Sequence, residues 1–147
     1  MTDLKLLALD LEDLEVISAH TQDAVVRVGD MGYARSDRRF AFLMNRYAWE
    51  AGAAGGRKGQ RRRAAIHFDN VDTVQIAGFD VNAVDGVLDL LSIAFDQTEA
   101  PSGFVVIAFA GGGTVRLGVE CLEARLQDLG SAWSARGRPV HDLPEMT

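Results

Sequence analysis

The stretch that most limits what this chain can fold into is residues 103–130, which reads GFVVIAF, AGGG, TVRLGVE and CLEARLQDLG in turn. Residues 104–109 form a short apolar run rich in β-branched and aromatic side chains, bounded by glycines, and this predicts a buried strand. Gly111, Gly112 and Gly113 allow positive φ in a tight reversal, so a hairpin turn follows. Val115, Leu117 and Val119 then alternate with Thr114, Arg116 and Gly118, the pattern of a strand with one wet face. From Glu120 the period changes. Leu122, Leu126 and Leu129 fall at i, i+4 and i+7, with Glu120, Glu123, Arg125 and Asp128 on the other side. That spacing predicts a C-terminal amphipathic helix stopped by Gly130, or one turn later at Trp133, with its apolar stripe laid on the preceding strands.

Upstream, residues 4–9 (LKLLAL) read as a strand or the lead-in to a helix. Asp10 is placed as an N-cap with Asp13 at N3, ahead of a helix over 11–20. Residues 24–34 have strand character interrupted by Gly29 and Gly32, which predicts a bulge or sharp bend. Residues 35–38 form a turn, and 39–49 alternate as a long strand pairing back on what precedes it. Residues 50–60 (EAGAAGGRKGQ) are low in complexity and read as a flexible loop within one domain. Strands follow at 62–68, 73–77 and 87–95, with Asp69 and Asn70 at a corner. Residues 1–135 are thereby expected to form one α+β domain, and 136–147, with two prolines, a flexible tail.

At 147 residues with 48% apolar and 24% charged side chains, a real core is expected without staples. No apolar run reaches the roughly 20 residues a membrane-spanning helix needs. The acidic start and the single cysteine fit a cytoplasmic protein without a signal peptide. The net charge of −6 opposes general affinity for nucleic acid. Against that acidic body, Arg57, Lys58, Arg61, Arg62 and Arg63 place five cations within residues 57–63.

Strand after strand with short reversals, closed by a helix, resembles the pleckstrin-homology-like roll over about residues 24–133. That resemblance implies two orthogonal sheets in a half-open barrel with the C-terminal helix plugging one end; a plain α+β sandwich is the alternative. The segments LKLLALDLEDLEVISAHTQDAVVRVGDM (4–31) and RRFAFLMNRYAWE (38–50) also resemble a bacterial cytoplasmic family of uncharacterised proteins, a domain-of-unknown-function family. That likeness implies no activity and no cofactor.

Candidate chemistry is sparse. The basic loop Arg57, Lys58, Arg61, Arg62 and Arg63, with Tyr47 and Trp49 as stacking faces, is the candidate binding site for an anionic ligand. Its plain alternative is a solvated loop whose charge guards a strand edge. Cys121 stands alone and reads as a half-buried thiol. His20, His67 and His141 are dispersed, and no metal-ligand spacing exists. His67 and Asp69 at i and i+2 share a strand face, where they could hydrogen-bond, but no nucleophile accompanies them. The acids Asp10, Glu12, Asp13 and Glu15 spread around a helix and lack calcium-loop spacing. The leading expectation is a non-enzymatic binding or adaptor domain without cofactor, taking a protein partner or a second copy along an edge strand. The alternatives are a phosphate- or nucleic-acid-binding accessory protein using 57–63, and a small enzyme near His67.

Overall fold

The computed structural model describes residues 4–47 and 61–130. Period-2 alternation becomes ten strands, and the inward half of each alternation becomes the core. The order is β1 (Lys5–Ala8), α1 (Leu11–Thr21), β2 (Val25–Arg27), β3 (Met31–Ala34), β4 (Arg39–Tyr47), β5 (Arg61–Phe68), β6 (Val71–Ala77), β7 (Val87–Gln97), β8 (Gly103–Phe109), β9 (Thr114–Val119) and β10 (Ala124–Asp128). Every pairing is antiparallel. Neighbours run β1-β10-β5-β4-β2-β7-β8-β9-β6, with β3 also on β4.

β7 turns this ribbon back on itself. Val87, Leu88 and Asp89 pair with β2, whereas Leu90 onward pairs with β8, across a register shift between Leu90 and Ser92. The extra residue reverses side-chain parity, so Leu90 and Ile93 both face inward although they are three apart. The bend expected within 24–34 is a single 3-10 turn at Val28–Asp30 between β2 and β3. Gly29 is required there because its N–H meets Val84 O at 2.9 Å, and an added Cβ would stand 2.9 Å from that same oxygen. The glycine hairpin joins β8 to β9 as expected, with Gly111 and Gly112 at φ 87° and 98°.

One prediction is overturned. No helix forms over 120–130; Ala124–Asp128 is strand β10, set between β1 and β5. Asp69 N donates to Glu123 O at 3.0 Å, Leu129 N to Arg63 O at 2.8 Å, and Asp128 N to Leu4 O at 2.9 Å. Leu122 and Leu126 are buried as expected, but by strand parity together with Ala124 and Asp128. Leucines four apart satisfy both a helical turn and two strand repeats, so ten residues could not separate the periods. The slot between β1 and β5, whose backbone groups need partners, decides for the strand. The helix that packs on the sheets is α1, capped as expected by Asp10, whose Oδ1 accepts from Asp13 N at 2.9 Å. Its Leu14 and Ile17 are fully buried, and it lies chiefly against β7 and β1.

Phe40, Phe42, Phe68 and Phe109 fill the core with the leucines, isoleucines and valines of the other strands. Each such side chain contributes about 1.5–3 kcal/mol by leaving water. The alternation of β4 also carries Arg46 inward, and it is fully buried. Asp128, inward on β10, receives Arg46 Nε on Oδ1 at 2.8 Å and Nη2 on Oδ2 at 2.9 Å. Leu4 N donates to the same Oδ2 at 2.9 Å. A desolvated pair survives only with this completeness of geometry. The expected loop over 50–60 and the tail 136–147 lie outside the described residues.

Candidate binding face

The face of β1, β10, β5 and β4 turned away from the core carries Lys5, Arg125, Gln127 and His67, while Ala41 and Leu43 of β4 on it are buried. Register sets Leu7, Arg125, His67 and Ala41 in one row across the four strands, and Lys5, Gln127, Ala65 and Leu43 in the next. Small Ala65 between longer neighbours leaves a groove of about 290 Å³ over β10, lined by Lys5, Leu7, His67, Arg125, Gln127 and Leu129 among others. That volume lies at the small end of ligand pockets.

Strand parity splits the basic run. Arg61 and Arg63 face outward with Tyr47, whereas Arg62 is the register partner of inward Arg46. The Arg61 guanidinium lies 5.3 Å from the Tyr47 ring centroid and donates to Asn45 O at 3.2 Å. Arg63 donates to Asn45 Oδ1 at 3.2 Å and stands 3.5 Å from Asp30, which also holds Arg27 at 3.1 Å. Arg61 and Tyr47 are thus together, Arg63 is engaged by an acid, and Arg62 is on the other side of the sheet. Trp49, Arg57 and Lys58 lie outside the described residues.

His67 and Asp69 share a face, as their spacing implies, but do not form a hydrogen bond. His67 Nε2 stands 3.5 Å from Asp69 Oδ2, is closed to solvent and has no hydrogen-bond partner among the described residues. Asp69 is committed elsewhere, to Arg39 Nε at 2.7 Å. Burial, then the Arg39 and Arg125 cations, hold the imidazole below its ordinary value, with Asp69 and Glu123 acting in the opposite direction. Cys121 is part-buried, and its sulfur accepts from Asn70 Nδ2 at 3.2 Å. Among the described residues no group of His, Cys, Asp and Glu could hold a metal ion.

Lys5, Arg125 and Gln127 carry no signal in the sequence that marks them as a group. They are distant in the chain, and no local motif includes them; only the β1–β10–β5 register brings them together. A second, open depression of about 550 Å³ is lined by Arg38, Asp72, Ser102, Phe104 and Glu120 among others. Its cation is already neutralised, since Arg38 meets Asp72 at 2.7 Å and Glu120 at 2.9 Å.

A family model described as a protein of unknown function (DUF2948) matches residues 4–141. The chain belongs to the DUF2948 family. No curated protein and no solved structure matches. The DUF2948 match takes in α1 and all ten strands, so both β10 and the groove over it fall within the family's span. Among the described residues, no helix of this DUF2948 chain is long and apolar enough to cross a membrane.

Proposed function

We propose that this DUF2948 protein is a non-enzymatic binding module that captures an extended peptide by strand addition at β1. The carrying observation is the outer edge of β1, which pairs with β10 alone among the described residues. The bond from Asp128 N to Leu4 O fixes the ladder phase, so Lys5 and Leu7 direct their N–H and C=O groups to the open side. Leu7, Leu9 and Leu11 beside that edge are 43%, 58% and 48% exposed, apolar area that an added strand would cover. A peptide residue opposite Lys5 would be acidic and one opposite Leu7 apolar.

The second reading, an anionic ligand at the basic run, is favoured by Arg61, which lies against Tyr47 and bonds only carbonyl oxygens among the described residues. The pleckstrin-homology-like reading of the roll belongs to the proposal as well; it is supported by the antiparallel strands with one helix packed on them, although that helix is α1 and not a C-terminal one. A single domain over 1–135 is supported by one continuous core cluster, and a cytoplasmic setting by the single cysteine.

The test is selection from a random eight-residue peptide library displayed on phage. Wild type should enrich acidic–x–apolar peptides. Leu7→Pro, which removes a donor only from the open edge, should keep its thermal transition and enrich nothing. Arg61→Ala with Arg63→Ala should enrich the same peptides; loss in that variant with retention in Leu7→Pro would favour the second reading. No enrichment by folded wild type would overturn strand capture.

A further inference from the structure

The groove over β10 shares Lys5 and Leu7 with the β1 edge, but Arg125, Gln127 and His67 have no part in strand capture. Its polar lining comprises Lys5 on β1, Arg125 and Gln127 on β10, and His67 on β5. Among the described residues Lys5 forms no ion pair with a carboxylate, and the Arg125 pairing is a 3.5 Å contact with Glu123 on an exposed surface. A contact of that kind is worth little in water and yields readily to a better anion. Leu7, Leu129 and Ala65 supply apolar wall beside these donors. A concave face rich in cations and donors, with apolar flanks, matches a compact oxyanion carried on a short organic stem.

We propose that this groove is a binding site for a small carboxylate or phosphate monoester, held by Lys5 and Arg125 with the Gln127 amide as a third donor. The site differs from the β1 edge in using side chains on the sheet face where strand capture uses backbone groups, with Lys5 and Leu7 common to both. The groups facing His67 are Arg39 from β4, Asp69 just beyond its own strand, and Glu123 and Arg125 from β10 and the turn before it. A bound anion adds negative charge to this set and so favours the imidazolium relative to the empty groove. Binding therefore raises the pKa of His67, and by linkage the anion binds more tightly as pH falls through the imidazole range.

The experiment is NMR titration of the full chain with inorganic phosphate, with succinate and with chloride at matched ionic strength. Either oxyanion should move the Lys5, Arg125 and Gln127 amides in one saturable step and raise the His67 pKa, with chloride inert. Comparing phosphate with succinate identifies the favoured source. Lys5→Gln and Arg125→Gln should each weaken binding about tenfold or more, the loss of one charge-assisted contact. Arg116→Gln, on β9 beside Phe104, should change nothing. Shifts spread evenly over all surface cations, or unaltered affinity in the two groove variants, would overturn the site. Arg125→Gln separates the two ideas: it should weaken the anion titration and leave peptide enrichment intact.

Discussion

At the scale of single residues, the least expected group is Arg46, a charge with no access to water. Arg46→Met leaves Asp128 in the core without its cation, and should cost about 3–5 kcal/mol in chemical denaturation. Adding Asp128→Leu to that variant should recover most of the loss. The unrecovered part is the orphaned Leu4 N–H, about 1–3 kcal/mol. A double variant no more stable than Arg46→Met would mean that the charge pair is not what holds this corner. His67 makes a different prediction. Its imidazole is held neutral in the fold, while the unfolded chain takes up a proton near the ordinary value of 6.5. Stability should be full above about pH 6.5 and fall as pH drops from there toward the lowered folded value. His67→Gln should remove that component of the slope, measured as unfolding midpoint against pH.

At the scale of elements, β10 is where the sequence misleads. The hairpin at 104–119 was legible because glycines bound it and β-branched residues fill it. The first helix was legible because Asp10 caps it and Leu14 and Ile17 recur on one side. The segment after Glu120 carries no such local signal: Leu122 and Leu126 fit both periods, and only Leu129 favoured the helix. Long-range pairing settled it, and no pattern among nearest neighbours contains that information. The same blindness hid the candidate face, since Lys5 and Arg125 meet only through register, and it merged Arg61, Arg62 and Arg63 into one patch that parity divides. The strand makes a prediction that the helix does not. Leu126→Ala should cost about 2–5 kcal/mol, while Leu129→Ala, off the inward parity and only part-buried, should cost far less. Denaturant midpoints at constant m-value compare them; equal losses would restore the helical stripe.

At the scale of the molecule, the main path of strands ends in β1 and β6, with β3 beside it on β4, and the two ends are defended unequally. β6 carries Asp72, Thr73 and Gln75 exposed along it and a register shift between Val71 and Thr73, features that discourage a newcomer. β1 has only Lys5 as a charge and leucines on its flank. The seating of β10 has a separate consequence. It joins β1, near the start of the described chain, to β5 in its middle, and the Leu4–Asp128 bond closes a loop of 124 residues. A ribosome releasing this chain must therefore deliver residues 124–128 before β1 finds its neighbour. Until then Leu6, Ala8, Ile66 and Phe68 have no permanent cover on that side. Newly made copies are accordingly exposed to mispairing with one another until residues 124–128 emerge.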